Sequence, residues 1–263
     1  MSRISATFAE LRAAGRRAFI PFVVAGDPDL AATEHAAQAL VRAGADLIEF
    51  GVPFSDPIAD GPVNQRAGHR ALLRGVTLAD VLDLTHRLRP KVAVPVVLLS
   101  YFNPILQYGL NRFCADAASS GVDGVVVPDL PPEEADGIIA AARPAGVDTI
   151  FLLAPTSTDE RIRLVAERST GFIYCVSLTG VTGVRERVSA DLGGLIARIK
   201  GLTSTPVCVG FGVSTPDQAR EVARVADGVI VGSALVAVLE EDGDRITRLE
   251  HLAGTLRRGI DVS

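Results

Sequence analysis

Glu49 is the first residue whose type and position suggest chemistry, because it interrupts the apolar run of a predicted strand in "ADLIEFGVP". Strand alternation places Leu47, Glu49 and Gly51 on one face and Ile48 and Phe50 on the other. If the second face meets helices, Glu49 points into the interior, where loss of water raises its pKa toward neutrality and suits it to general acid–base chemistry. The alternative is a glutamate satisfied by backbone groups or a salt bridge.

Three aspartates follow predicted strands in turn sequences. Asp60 lies in "IADGP" and Asp56 in "SDP", and each either joins the chemistry of Glu49 or caps a turn. Asp129, in "VVVPDLPPEE", is interpreted as a cap of the helix that follows it.

The other common catalytic groups are poorly placed. The two lysines, Lys91 and Lys200, precede predicted strands, which argues against a Schiff-base mechanism at the opposite ends. The four histidines fall in helical patterns without metal-ligand spacing, and Cys175 and Cys208 lie inside apolar strands. The sequence therefore predicts proton transfer by carboxylates and no metal site.

Glycines at the ends of the last predicted strands indicate a phosphate site. Gly210 and Gly212 end one strand, and Gly232 and Ser233 end the next and lead directly into a helix. Free N–H groups at a helix start favour an anion. The polar segment "SLTGVTGVRERVSAD" at residues 177–191 is predicted to act as a lid.

A substrate with a phosphate at one end and an aromatic body at the other would fit between these groups. Six larger side chains are expected near them, either lining such a pocket or simply belonging to the core: Phe22, Leu99, Tyr101, Val127, Tyr174 and Phe211.

The elements that must position these residues form a repeat. Eight apolar segments, several introduced by a glycine and an aspartate as in "GVDGVVVPDL", alternate with helical patterns. "STDERIRLVAE" is predicted to open its helix with a capping box from Ser157 to Glu160. We expect residues 1–263 to form one (β/α)8 TIM barrel of the α/β class, with an extra N-terminal helix near residues 5–14 on its floor. An open doubly wound sheet is the alternative.

Composition narrows the possible partners. The chain has 263 residues, a formal net charge of -5 and 48% hydrophobic residues, which argues for a globular protein without a nucleic-acid surface. No apolar run is long enough to span a membrane, and the cysteines have the pattern of a reducing compartment. A cytoplasmic protein is expected.

Several motifs together resemble the tryptophan synthase alpha subunit family: "EFGVPFSDPIADGPVNQRA", "VVVPDLP", "GVTGVR", "VGFGVS" and "VIVGSALV". The resemblance runs from Phe19 to the final helix. It implies cleavage of indole-3-glycerol phosphate to indole and glyceraldehyde 3-phosphate, a retro-aldol reaction that needs no cofactor in this chain.

The resemblance also implies residue roles. Glu49 would protonate indole C3 and manage the glycerol hydroxyl proton, and Asp60 would accept the ring N–H. The substrate-binding residues it implies are Phe22, Tyr174, Thr182, Gly183, Phe211, Gly212, Gly232 and Ser233, with Thr182 reaching Asp60 from the closed lid. Two positions depart from the family pattern, Leu178 and Asn64, and neither is expected to contact the acid pair.

The resemblance further implies a partner, a pyridoxal-phosphate-dependent beta subunit in an alpha2-beta2 heterotetramer. "YFNPILQYG", expected to be a surface loop carrying Phe102, Ile105 and Leu106, is a candidate docking site or a loop folded onto the rim. Two other functions stay open: a phosphate-binding sugar isomerase on the same barrel, and a non-catalytic barrel that activates a partner.

Overall fold

Parallel strands form at all eight predicted apolar segments. The computed structural model describes residues 1–176, 185–210 and 212–262, with the backbone alone for 185–191. Within that part of the chain the strands are β1 (Ala18–Val24), β2 (Ile48–Gly51), β3 (Val96–Leu99), β4 (Gly124–Val126), β5 (Asp148–Ile150), β6 (Leu152–Leu153), β7 (Ile173–Val176), β8 (Val207–Gly210) and β9 (Gly228–Val231).

The strand order closes the sheet into a barrel. The order is β5-β4-β3-β2-β1-β9-β8-β7-β6, so its two ends, β5 and β6, are separated along the chain only by Phe151. The Phe151 carbonyl accepts a hydrogen bond from the Tyr174 N–H at 3.0 Å, which continues the pairing of this segment with β7. The two short strands therefore act as one, and the predicted eight-stranded barrel is confirmed.

Helices connect the strands and cover the barrel. In the same described residues they are α1 (Arg3–Ala13), α2 (Leu30–Arg42), α3 (Pro62–Leu73), α4 (Leu78–Leu88), α5 (Phe102–Tyr108), α6 (Leu110–Ser120), α7 (Asp136–Ala145), α8 (Asp159–Arg168), α9 (Arg185–Leu202), α10 (Pro216–Ala223), α11 (Ser233–Glu240) and α12 (Arg245–Asp261), with a 3-10 turn at Pro132–Glu134. No helix in this part of the chain is both long and apolar enough to cross a membrane.

Two local predictions about these helices are wrong. The capping box at Ser157 does not form, because Thr158 is the N-cap of α8 and the Ser157 hydroxyl accepts a hydrogen bond from the Ala154 N–H instead. The segment expected to be a surface loop after β3 folds into α5, which buries Ile105 and leaves Leu106 half exposed.

The N-terminal helix packs against the floor of the barrel, as predicted. Ile4 of α1 is fully buried and reaches Gly124 at the start of β4, where an added Cβ would lie 2.9 Å from its Cδ1. Phe8 packs against Phe172 with ring centroids 5.9 Å apart. These contacts fill the end of the barrel opposite the strand C-termini.

Three of the repeated aspartates, Asp46, Asp123 and Asp227, are explained by this floor. Each lies just before a strand and accepts a hydrogen bond from the backbone N–H of a residue on the neighbouring strand: Asp46 from Phe19 at 2.9 Å, Asp123 from Val96 at 2.8 Å and Asp227 from Val207 at 2.9 Å. Each also forms an ion pair, with Arg257, Arg3 and Lys200 respectively. These three aspartates therefore join adjacent strands and serve the fold, since they lie far from the strand C-termini.

Candidate active site

Glu49 lies on the inner face of β2, as alternation predicts. Its neighbour Leu47 packs with interior residues of other strands, whereas Ile48 and Phe50 belong to the layer between sheet and helices. In the register of β1 and β2, Glu49 is paired with Phe22, another interior residue. The carboxyl is therefore held inside the barrel, toward the ends of the strands.

The Glu49 carboxyl is fully buried, and neither of its oxygens has a hydrogen-bond partner among the described residues. Burial, and to a lesser degree the negative charge of Asp60, raises the pKa of Glu49 to about 8. A carboxyl in this state is mostly protonated at neutral pH and can donate a proton to a group brought beside it. Within the described residues, no salt bridge or backbone group satisfies the Glu49 carboxyl, which argues against the structural alternative.

Asp60 approaches Glu49 from the loop between β2 and α3. The Tyr101 hydroxyl donates a hydrogen bond to Asp60 Oδ2 at 3.0 Å and accepts one from the Ala59 N–H at 2.9 Å. Burial raises the pKa of Asp60, while hydrogen bonds from Tyr101 and from the Asn64 side chain act against that rise. The two acids thus differ: Asp60 has donors that stabilise its anion, and Glu49 has none in the described chain.

Two of these contacts were not predicted. The sequence predicts Tyr101 only as a large side chain near the candidate site, although a tyrosine directly after a strand C-terminus is a possible hydrogen-bond donor there. Asn64 was expected not to contact the acid pair, but its side chain lies close enough to Asp60 to act against the rise in the pKa of that carboxyl. The first turn of α3 brings residue 64 back over residue 60, as i and i+4 positions allow.

The remaining loop acids have structural partners. Asp129 Oδ1 accepts a hydrogen bond from the Phe102 N–H at 2.8 Å, so it caps α5 and not the helix that follows it in the sequence. Asp56 is exposed and accepts a hydrogen bond from the Ser55 hydroxyl at 2.5 Å. Neither acid has the burial of Glu49 or Asp60.

Both lysines form ion pairs away from this site. Lys91 pairs with Glu34, and Lys200 bonds to Asp227 at the start of β9, which is the floor of the barrel. In the described residues no group of three or more histidines, cysteines or acids could hold a metal ion.

The glycines of the predicted phosphate site lie at the ends of β8 and β9. Gly212 has a φ of +88°, a conformation that favours glycine, and it turns the chain after β8. Gly232 is the N-cap of α11, and Ser233 is the first, exposed residue of that helix. The first N–H groups of a helix have no partner within the helix, so this end of α11 can accept an anion.

Aromatic side chains separate the acids from the helix start. A Cβ at Gly51 would lie 2.6 Å from Phe22 Cζ, and one at Gly232 would lie 3.1 Å from Phe22 Cδ1, so the Phe22 ring touches both strand ends. Tyr174 is buried on the inner face, and its hydroxyl lies over Gly210. Burial, followed by the charge of Glu49, raises the pKa of Tyr174 well above its ordinary value.

Four residues named from the sequence, Thr182, Gly183, Phe211 and Leu178, lie outside the described residues. The structure brings together Glu49, Asp60 and Phe22, with Tyr174 on the same inner face and Gly232 against Phe22. This arrangement can protonate a carbon inside the barrel, accept an N–H at Asp60 and bind an anion at α11.

Comparison with known proteins points to one family. The sequence model described as tryptophan synthase alpha chain matches residues 8–259. The tryptophan synthase alpha chain of Citrifermentans bemidjiense is 53% identical over 262 residues, which cover 99% of this chain and 98% of that protein. The tryptophan synthase alpha chain of Geobacter sulfurreducens is 55% identical over 240 residues, 91% of each chain.

Solved structures give the same result for the fold. Tryptophan synthase subunit alpha from Legionella pneumophila superimposes with a TM-score of 0.93 at 38% identity, covering 100% of both chains. A structure of Mycobacterium tuberculosis tryptophan synthase matches with a TM-score of 0.91 at 42% identity, covering 100% of this chain and 99% of that one.

Proposed function

The chain belongs to the tryptophan synthase alpha chain family, and on that premise we propose that Glu49 and Asp60 perform the acid–base chemistry of the family's reaction. That reaction cleaves indole-3-glycerol phosphate to indole and glyceraldehyde 3-phosphate, so the chain is a lyase of tryptophan biosynthesis. The observation that carries the proposal is the fully buried Glu49 carboxyl, whose oxygens have no partner in the described chain and which faces Asp60.

In the proposed mechanism Glu49 both gives and takes a proton. It protonates indole C3, which turns the ring into an indoleninium cation, and its carboxylate then removes the proton of the hydroxyl on the adjacent side-chain carbon. The O–H electrons form the aldehyde C=O, the bond to C3 breaks, and its electron pair restores the neutral indole. Glu49 ends protonated, as it began, which suits a pKa of about 8.

Asp60 is proposed to stabilise the cation in this sequence. Its carboxylate accepts the ring N–H, whose positive charge grows when C3 is protonated. The hydrogen bonds from Tyr101 and Asn64 favour the ionised form of Asp60 next to the protonated Glu49. Two neighbouring acids with different hydrogen-bond environments can thus take the two roles.

The remaining residues are proposed to hold the substrate. The phosphate would bind the N–H groups at Gly232 and Ser233 and the turn at Gly212, with Gly183 completing that site. Phe22, Tyr174 and Phe211 would pack against the indole, and Thr182 would reach Asp60. The contact between Phe22 and Gly232 supports this arrangement, because it puts the aromatic wall directly beside the anion site.

We further propose that the chain needs no cofactor of its own and passes indole to a pyridoxal-phosphate-dependent beta subunit, in an alpha2-beta2 assembly. Two exposed apolar side chains support docking at the strand C-termini. Ile58, on the loop after β2, is 83% exposed, and Leu106, on the helix after β3, is 50% exposed. Because β2 and β3 are adjacent, both side chains lie on the same rim of the barrel.

The test is cleavage of indole-3-glycerol phosphate by the purified chain, with and without the beta subunit and with no metal added. The wild-type chain is expected to release indole, and the Glu49→Gln variant is expected to lose at least 100-fold in kcat. Asp56→Asn serves as the matched control, because Asp56 is an exposed acid on the same loop as Asp60, and it should keep its activity.

Binding of glycerol 3-phosphate separates catalysis from folding. Glu49→Gln should retain this binding, since the phosphate contacts lie at α11. Full cleavage by Glu49→Gln would remove Glu49 from the mechanism. If the wild-type chain fails to cleave the substrate even with the beta subunit present, a sugar-phosphate isomerase or a non-catalytic partner becomes the better explanation.

A further inference from the structure

Asn64 carries a buried side-chain oxygen that has no hydrogen-bond partner in the described chain. The described residues contain four such buried polar atoms, and three of them are the two oxygens of Glu49 and Oδ1 of Asn64. The fourth, Arg220 Nε, belongs to α10. Unsatisfied acceptors are thus concentrated around Asp60, where the proposed substrate would be bound.

The orientation of the Asn64 amide follows from its neighbour. Its effect on Asp60 is to favour the ionised carboxylate, which is the effect of an amide N–H directed toward that group. Reversing the amide would place Asn64 Oδ1 next to the Asp60 carboxylate. Two hydrogen-bond acceptors would then face each other with no donor between them. The observed orientation leaves Oδ1 as the acceptor without a partner, and leaving a buried acceptor unsatisfied is unfavourable. A ligand that brings a donor to this place would remove that penalty.

We propose that Asn64 is a positioning and specificity-determining residue, whose Nδ2 holds the Asp60 carboxylate and whose Oδ1 shares the N–H of the bound heteroaromatic ring with Asp60. This inference rests on the proposed function, because it takes the ring N–H to be bound at Asp60. An apolar side chain at residue 64 would provide neither contact.

In the part of the chain that the structure describes, the polar and titratable side chains that act on Asp60 come from three elements. Glu49 acts on it from β2, Tyr101 donates a hydrogen bond to it from the end of β3, and the Asn64 side chain on α3 favours its ionised form. Asp129 lies near Tyr101 and acts on that phenol. Removing the Asn64 amide leaves Tyr101 as the remaining described side chain that favours the ionised form of Asp60, so the Asp60 anion becomes less favourable.

The first experiment compares kcat/KM against pH for the wild type, Asn64→Leu, Asn64→Asp and Gln65→Leu. Asn64→Leu has nearly the same shape as asparagine, and it should lower kcat/KM about tenfold and move the acid limb of the profile to higher pH. Asn64→Asp replaces the donor with an acid and should move that limb further. Gln65→Leu is the matched control, because its amide bonds to the backbone oxygen of Asp60 at 2.9 Å, and the limb should stay in place.

The second experiment measures binding of indole and of benzothiophene, which has the same shape without the N–H, in the presence of glycerol 3-phosphate. The wild type should prefer indole, and Asn64→Leu should reduce that preference by about 3- to 10-fold. Gln65→Leu should keep it. This measurement does not depend on turnover, so a chain that binds but does not cleave would refute the proposed function and still test Asn64.

An unchanged preference for indole in Asn64→Leu, together with an unmoved acid limb, would overturn the proposal. The proposal would also be overturned if Asn64→Leu lowered the folding stability but changed neither the preference for indole nor the acid limb of the pH profile. That result would assign Asn64 a purely structural role. If Asn64→Leu fails to fold, Asn64→Ala provides both measurements, because it also removes the donor and the acceptor of the amide.

Discussion

The Tyr101 hydroxyl bridges Asp60 and the backbone of Ala59, donating to Asp60 Oδ2 at 3.0 Å and accepting from the Ala59 N–H at 2.9 Å. The Tyr101 ring is stacked on Phe54, with centroids 5.1 Å apart. Tyr101 follows β3, whereas the other three residues belong to the loop after β2. One side chain therefore fixes the loop that carries Asp60 to the neighbouring strand.

Replacing Tyr101 with phenylalanine should impair catalysis without unfolding the site, because the stacked ring stays. The loss of a hydrogen bond to a charged group is worth about 1.5–3 kcal/mol, so we expect kcat/KM to fall roughly 10- to 100-fold. The acid limb of the pH profile should move to higher pH, since this hydrogen bond lowers the pKa of Asp60. Steady-state kinetics from pH 5 to 9 measure both effects.

Tyr108→Phe is the matched control for this change. The Tyr108 hydroxyl donates to Asp116 at 2.7 Å on the outer helices, away from the acid pair. This variant should keep the wild-type profile. A Tyr101→Phe enzyme with the same profile would show that the hydrogen bond has no effect on Asp60.

The ionisation of Glu49 should make folding stability depend on pH. Its pKa is raised from an ordinary 4.5 to about 8 in the folded chain, so the folded state binds more protons than the unfolded state between these values. The stabilising contribution is complete below about pH 4.5 and is lost as the pH rises to 8. Glu49→Gln has no such group and should gain stability relative to the wild type across this window.

The expected gain is about 1.4 kcal/mol per pH unit at most, less where Asp60 also titrates. Urea denaturation of both proteins at intervals from pH 5 to 8.5 measures the difference. If the difference in unfolding free energy between the two proteins stayed constant over this pH range, Glu49 would ionise in the folded chain with an ordinary pKa.

Gly51 should resist substitution because it accommodates Phe22. The Cβ of an alanine at residue 51 would lie 2.6 Å from Phe22 Cζ, so the ring would have to move. Overpacking of this kind costs about 1–3 kcal/mol, and a displaced ring should also raise KM for indole-3-glycerol phosphate several-fold. Thermal unfolding and steady-state kinetics test the two effects separately.

Gly68→Ala provides the comparison, since Gly68 lies in α3 and a Cβ there would meet no heavy atom within 4 Å. Alanine is favoured over glycine inside a helix by about 0.5–1 kcal/mol, so this variant should be slightly stabilised. A Gly51→Ala protein with wild-type stability and KM would mean that Phe22 moves freely.

Arg70 should be important for stability because it pairs with a buried acid. It contacts both oxygens of Asp27 at 2.8 Å and Glu240 at 2.9 Å, which joins α3 to the loop after β1 and to the end of α11. Asp27 is 1% exposed. Arg70→Leu would leave that carboxylate unpaired and should lower the free energy of unfolding by about 3 kcal/mol.

Two related variants separate this pair from general surface charge. Arg70→Lys should recover only part of the loss, because an ammonium cannot make the bidentate contact. Arg66→Leu removes an exposed pair with Glu240 and should change the unfolding free energy by less than about 1 kcal/mol. Equal losses for Arg66→Leu and Arg70→Leu would contradict a special role for Asp27.

The sequence by itself determined the barrel and the inward direction of Glu49. Both depend on local periodicity: apolar runs mark covered parallel strands, and alternation within "LIEFG" separates Glu49 from Ile48 and Phe50. The glycines at the ends of β8 and β9 were equally visible, because their position after an apolar run and before a helix is a local pattern.

Only the tertiary structure decided which groups surround Asp60. Tyr101 is 41 residues away along the chain, and its contact depends on the register between β2 and β3. The same reason explains Asp129, which caps α5, a helix that precedes it in the sequence. The different environments of Glu49 and Asp60 also come from burial and from donors on other elements, and these quantities exist only once the barrel has closed.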